Sequence, residues 1–170
     1  MKKFMLVLVG ALLLSGCATS PQANSEYSST DISFAEQMIP HHEQAIEMSD
    51  LALLNTSNAD VLKLAGQIKN AQSPEIEKMQ SWTGVRASTH SGHMMDGMLS
   101  KDELSDLANA KGKEFDQLFF QGMIKHHEGA IKMAQDVLGS TNKEVAALAS
   151  SIIKAQESEI AAMQELLVNS

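Results

Sequence analysis

Two pairs of adjacent histidines, each framed by methionines, are the residues of this chain best suited to chemistry. The segment MIPHHEQAIEM at Met38–Met48 returns as MIKHHEGAIKM at Met123–Met133. Thioether sulfur suits Cu(I), whereas imidazole nitrogen binds Cu, Zn, Fe and Ni. The pattern therefore indicates a soft-metal site inside a helical core. Its candidate ligands are Met38, His41, His42, Met48, Met123, His126, His127 and Met133.

Two glutamates, Glu75 and Glu159, lie on the apolar stripes of the helices predicted to face the histidines. A buried carboxylate needs a partner, and the imidazoles are the nearest suitable groups. A carboxylate that accepts from one ring nitrogen leaves the other nitrogen free for a metal. The same His–Glu network could instead serve only to specify core packing. The residues alone leave both interpretations open.

The segment between the two repeats carries a second set of soft ligands. We predict a loop there, because it contains two glycines and little helical periodicity. Such a loop could wrap a soft cation, or its methionines could act as adaptable filler over the end of the bundle. The residues of this second candidate site are His90, His93, Met94, Met95 and Met98.

Several kinds of enzyme site are excluded by spacing. The Glu-x-x-His pattern of ferritin-like di-iron sites does not occur, and neither does the His-Glu-x-x-His pattern of zinc hydrolases. No nucleophile elbow, phosphate loop or Ser/His/Asp order is present. We therefore assign no catalytic residues and do not predict an enzyme, although a buried histidine pair used for acid–base or redox work remains a third hypothesis.

An internal repeat reveals the elements that position these residues. Asp31–Met48 and Asp116–Met133 share ten of eighteen residues, and Val61–Gln80 and Val145–Gln164 share ten of twenty. Apolar residues in each block step by three and four, which is typical of one helix face. The turns between the blocks are short, so each copy is predicted to be an antiparallel hairpin. Two hairpins make an all-α, four-helix bundle.

The boundaries follow from composition and from capping signals. Capping boxes are predicted at Ser33, Ser100 and Thr141. The bundle is assigned to residues 31–168. Within it we place repeat 1 at 31–82, the Met/His linker at 83–99, a short helix at 100–111 and repeat 2 at 113–168.

The first residues indicate export. Two lysines, an apolar run from Phe4 and the tetrapeptide Leu-Ser-Gly-Cys ending at Cys17 resemble a bacterial lipoprotein signal over residues 1–17. Cys17 would be lipidated, residues 18–30 would form a flexible tether, and Ala18 favours the outer membrane, facing the periplasm. The run is too short to span a bilayer, so the lipid would be the only membrane anchor.

The net charge of the mature chain limits the classes of partner that it can bind. Removal of the signal leaves 11 basic and 21 acidic residues, a net charge of −10. This balance disfavours nucleic acid and anionic lipid headgroups and weakly favours cations. A metal ion is the partner we predict, and a homo-oligomer is left open.

The doubled Met-Ile-x-His-His-x-x-Ala-Ile-x-Met motif, together with Gly97–Ser100, Phe115–Phe119 and the repeated Gln-x-x-Glu-Ile-x-x-Met, resembles the domain of unknown function 305 family over Asp31–Leu167. The resemblance implies a ferritin-like helical bundle that is usually exported. Some members are periplasmic copper-binding proteins that help cells tolerate copper. By this resemblance the HH pairs with Met38 and Met123 would be copper ligands, and the linker would be a second copper region.

The leading hypothesis is therefore a lipid-anchored envelope protein that binds copper, preferably Cu(I), to sequester it or hand it on. The alternative is a structural or interaction bundle without metal. With ordinary imidazole pKa values near 6.5, binding in the core is expected to weaken at pH 5 while thioether binding in the linker persists.

Overall fold

The computed structural model describes residues 26–86 and 94–169. Those ranges contain the helices α1 (Ser29–Asn55), α2 (Ala59–Gln80), α3 (Lys101–Asn109), α4 (Lys113–Gln135) and α5 (Lys143–Asn169). The same residues contain no strand, so the predicted all-α class is confirmed. The pairs α1–α2 and α4–α5 form two helical hairpins, which contact each other mainly through α1 and α4. The ferritin-like description stays a prediction.

One of the three predicted capping boxes is confirmed. At Ser100 the hydroxyl accepts from the Glu103 N–H, and the Glu103 carboxylate accepts from the Ser100 N–H. The predictions at Ser33 and Thr141 are wrong. Ser28 forms a complete box with Asp31, so α1 begins earlier and Ser33 lies in its interior. At α5 it is the Asn142 side chain that accepts from the first N–H groups.

The packed part of the chain also begins before residue 30, where the tether was predicted to end. Tyr27 is buried, and its ring stacks on that of Trp82 with 5.0 Å between centroids. The signal peptide, Cys17 and residues 18–25 lie outside the described residues, as do His90 and His93. No helix in the described ranges has the length and apolar character needed to cross a bilayer.

The core consists of two apolar clusters. One cluster joins the N-terminal half of α1, the end of α2, the end of α4 and the start of α5. The other joins the C-terminal half of α1, the start of α2, α3, the start of α4 and the end of α5. Between them, each of the four long helices contributes two polar residues. We call this set the polar layer: His41, His42, Gln72, Glu75, His126, His127, Gln156 and Glu159.

A short segment between the hairpins, residues 96–99, crosses α1 and α4 and is named the strap. The Gln44 amide donates to the Leu99 carbonyl at 3.0 Å and accepts from the Leu99 N–H at 2.8 Å. Gly97 has φ +83° and lies against Gly129 of α4, backbone on backbone. An ion pair of 2.5 Å joins the Asp96 carboxylate to Lys132. The strap is thus held by backbone contact as well as by side chains.

Candidate metal centre

His41 and His126 meet where α1 and α4 pack together. Their ring centroids are 3.8 Å apart, the rings are inclined by 40°, and neither residue is exposed to solvent. The Nε2 of His126 lies 2.9 Å from the backbone oxygen of His41, and the Nε2 of His41 lies 3.1 Å from that of Asp96. The internal repeat thus brings one histidine from each copy into direct contact.

The second histidine of each pair meets a glutamate of its own hairpin. His42 Nε2 is 2.9 Å from Glu75 Oε2, and His127 Nε2 is 2.7 Å from Glu159 Oε2. Both imidazoles are fully buried, whereas the two carboxylates retain slight exposure. A carboxylate in this position fixes the orientation of the ring and the nitrogen that carries the hydrogen.

The hydrogen-bond partners of the four imidazole rings show which ring nitrogen is left without a partner. Every Nε2 faces an oxygen that only accepts, either a carbonyl or a carboxylate, so each Nε2 must donate an N–H. Each Nδ1 is buried and has no hydrogen-bond partner. In the neutral form of each ring the hydrogen therefore resides on Nε2, and Nδ1 carries the lone pair. Four Nδ1 atoms without a hydrogen-bond partner thus lie in the polar layer.

Burial also keeps the central pair uncharged. Desolvation lowers the pKa of His41 to about 3, and the neighbouring His42 adds to the effect. Desolvation likewise places the pKa of His126 well below its ordinary value, with His41 contributing next. His41 is therefore neutral at pH 5, and burial favours the neutral form of His126 in the same way. The expected weakening of core binding at pH 5 assumed the pKa of an exposed imidazole, and that assumption does not hold for His41 or His126.

Two glutamines extend the set of unpartnered groups. Gln72 and Gln156 are 2 % exposed, and neither the nitrogen nor the oxygen of either amide has a hydrogen-bond partner. Leaving a buried polar group unpaired costs roughly 1–3 kcal/mol. Such groups in a native core call for an explanation, and a bound ion or ligand is one. Neither glutamine was singled out as a site residue from the sequence, although each precedes a glutamate of the polar layer by three residues.

The methionines are distributed around the polar layer rather than within one group. Met38 lies in the first apolar cluster, whereas Met48 and Met123 lie in the second, and all three are fully buried. Met133 is half-buried and lines grooves at the surface. The eight candidate residues are thus distributed over the polar layer, both apolar clusters and a surface groove. In the described part of the chain, no three His, Cys, Asp or Glu side chains are placed to hold one ion.

The candidate residues of the linker lie in more than one place. Met94 and Met95 line a surface groove together with Met133. Met98 is half-buried in the strap, and its N–H donates to the Met95 carbonyl. The remaining two candidates, His90 and His93, fall outside the described ranges.

The sequence from residue 31 to 167 matches the family described as domain of unknown function (DUF305). The chain belongs to the DUF305 family. This match spans all the long helices and both histidine pairs. None of the curated proteins matches the chain.

Several solved structures share this fold. A DUF305 protein from Streptomyces coelicolor is similar with a TM-score of 0.76 and 31% identity, over 83% of this chain and 93% of that one. CopM in its Cu(I)-bound form has a TM-score of 0.70 and 34% identity, over 84% and 98% of the two chains. CopM in its Cu(II)-bound form has a TM-score of 0.70 and 35% identity, over 82% and 96%. CopM is also known in silver-bound forms.

Proposed function

We propose that this DUF305 protein binds monovalent copper in the polar layer and so sequesters the metal or hands it on. The observation that carries the proposal is the set of four buried imidazoles whose Nε2 atoms are engaged while their Nδ1 lone pairs have no partner. A neutral imidazole lone pair is a metal ligand that needs no proton to leave. CopM, at 34% identity, supports copper as the metal, since it is known with Cu(I) bound.

Monovalent copper fits this layer better than zinc or iron. Structural zinc takes four ligands, and di-iron sites take several carboxylates. Here the described residues offer no group of three His, Cys, Asp or Glu side chains. Cu(I) is stable with two or three soft ligands, and thioethers suit it. Met38 and Met123, each one turn before a histidine pair, are the sulfur ligands nearest in sequence.

Replacing both central histidines, as His41→Ala/His126→Ala, should weaken Cu(I) binding by at least about 100-fold, beyond the loss typical of an outer-shell change. The measurement is a competition titration of the full chain against a chromogenic Cu(I) chelator under reducing conditions. Met163→Leu serves as the matched control, because Met163 is a fully buried thioether placed in the hydrophobic core. Circular dichroism verifies that each variant remains helical.

The alternative function is a structural or interaction bundle in which the His–Glu network binds no metal. The contacts of His42 with Glu75 and of His127 with Glu159 are compatible with it. That function predicts no stoichiometric copper in protein purified from copper-supplemented cells. Equal Cu(I) affinity in the wild type and in the histidine variant would rule out copper binding in the polar layer, and an equal affinity in a Met94→Ser/Met95→Ser variant as well would rule out the linker as a copper region.

We further propose that the protein is a lipoprotein of the bacterial envelope, anchored in the outer membrane and facing the periplasm. Support comes from the basic start, the apolar run and the Leu-Ser-Gly-Cys sequence ending at Cys17. A Cys17→Ser variant should lose incorporation of labelled palmitate and leave the membrane fraction, whereas Ser20→Ala should retain both. Absence of label in the wild-type protein would refute the anchor without affecting the metal proposal.

A further inference from the structure

Three methionines line one open surface groove close to His41. Met94 and Met95 come from the segment before the strap, and Met133 comes from the last turn of α4. The groove has a volume of about 520 Å³. Met94 is 61% exposed, while Met95 and Met133 are half-buried. Methionines from two separate parts of the chain thus line the same solvent-accessible space.

The charge around this groove favours a cation. Its lining includes two carboxylates, Asp96 and Asp136, and one ammonium group, Lys132. Lys132 is paired with Asp96 at 2.5 Å, so the lining carries a net charge of −1. Methionines that only filled space would be expected to pack out of water, yet the most exposed of the three stands at the rim.

One residue separates the groove from the polar layer. Asp96 lines the groove, and its backbone oxygen is the atom that accepts from His41 Nε2 at 3.1 Å. A displacement of this carbonyl would place the first imidazole next to the groove. Gln37, which also lines the groove, directly precedes Met38 in α1. The groove is therefore the surface site adjacent to the buried pair.

We propose that Met94, Met95 and Met133 form an outer site that takes a monovalent soft cation, Cu(I) or Ag(I), before the ion reaches His41 and His126. The inference rests on the proposed function and adds to it the route by which the ion arrives. Thioethers bind without losing a proton, so the outer site accepts the ion at any physiological pH. Transfer inward is a ligand exchange in which imidazole nitrogen replaces sulfur, and the ion keeps its charge.

The equilibrium test uses Ag(I) and methionine labelled with ¹³C at the methyl group, in the full chain. Ag(I) is diamagnetic, so its binding shifts the methyl signals without broadening them. In the His41→Ala/His126→Ala background the signals of Met94, Met95 and Met133 should shift together, with one ion bound. Single methionine-to-leucine variants assign the signals, since leucine keeps the apolar volume while removing sulfur. If these three signals stay in place, the outer site does not exist.

The kinetic test follows transfer of Cu(I) from a chromogenic chelator by stopped-flow absorbance. The triple variant Met94→Leu/Met95→Leu/Met133→Leu should load the protein about tenfold more slowly, equivalent to about 1.4 kcal/mol in the barrier. Met163→Leu, which removes a sulfur from the core, should load at the wild-type rate. An unchanged rate in the triple variant overturns the route.

These experiments separate the two proposals. If the core signals shift while the groove signals do not, the copper function stands and the outer site fails. If the wild-type histidine pair takes no ion but the groove signals shift in the histidine variant, the outer site stands and the core proposal fails.

Discussion

Gly129→Ala should destabilise the protein by about 2–3 kcal/mol, at the upper end of the range for overpacking a core. A Cβ at this position would lie 2.0 Å from the Asp96 backbone oxygen and 2.9 Å from the Gly97 Cα. Both atoms belong to backbone, so no side-chain rotation relieves the clash. The strap must move away from α4, although alanine itself is the better helix former. Urea unfolding followed by circular dichroism measures the loss.

Gly66→Ala is the matched control for this substitution. Gly66 lies in the interior of α2, and a Cβ there would meet nothing within 4 Å. Its replacement should stabilise the protein by roughly 0.5–1 kcal/mol, because glycine in a helix interior is less favourable than alanine by that amount. Equal stabilisation by both substitutions would show that the strap does not pack on α4 as described.

Displacement of the strap also bears on the metal centre. The Asp96 carbonyl is the acceptor for His41 Nε2. If the strap leaves α4, that nitrogen loses its partner and becomes accessible from the groove. The stability of the strap and the accessibility of the central pair are thus connected through a single backbone atom.

Acidification from pH 6.5 to pH 5 should destabilise the metal-free protein by roughly 1.5–2 kcal/mol through His41 alone, because the slope rises toward about 1.4 kcal/mol per pH unit as the imidazole of the unfolded chain becomes protonated, and His126 should add to the loss. Burial lowers the pKa of His41 to about 3 and that of His126 well below its ordinary value. Between pH 6.5 and about 3 the unfolded chain therefore binds more protons than the folded protein. Stability is fully present above pH 6.5 and falls as the pH falls through this window.

Urea midpoints at half-unit pH steps measure this slope, and His41→Gln/His126→Gln should flatten it. Glu103 does not obscure the upper part of the window. The hydrogen bond from Lys125 lowers the pKa of Glu103 to about 2, so the contribution of that carboxylate is lost only as the pH falls below about 4.5. A double variant with the wild-type slope between pH 6.5 and 5 would contradict the buried, neutral state of the pair.

The fold was largely predictable, because the internal repeat and the apolar periodicity indicate both the helices and their pairing into hairpins. Helix starts were harder to predict. Ser33 and Thr141 satisfy the capping-box pattern, but Ser28 and Asn142 supply the acceptors in the structure. The pattern does not specify which of several nearby polar residues meets the first N–H groups. Local sequence thus indicates the presence of a helix more firmly than its first residue.

The site was predictable in composition but not in arrangement. Met48 and Met133 occupy equivalent positions in the two repeats, yet Met48 is fully buried and Met133 lines an open groove. The difference arises because the linker occurs only once. Leu99 of the strap and Leu107 of α3 belong to the cluster that contains Met48. A repeat in sequence does not reveal which copy the connecting segment covers.

The low pKa of the central pair could not be inferred from the sequence either. The repeat predicted that the histidines lie in a helical core, but only the packing of α1 on α4 removes both rings from water entirely. The depth of burial, rather than the residue type, determines whether an imidazole is protonated at pH 5.

The polar layer has a consequence for how the chain selects one alignment of its helices. If α1 slid past α4 by one turn, the imidazoles would enter an apolar cluster and their Nε2 groups would lose the oxygens that accept from them. Hydrophobic contact alone would tolerate such a slip, since methionine and alanine repeat along both helices. Oriented polar contacts penalise it, and in this way they fix the register of the two hairpins.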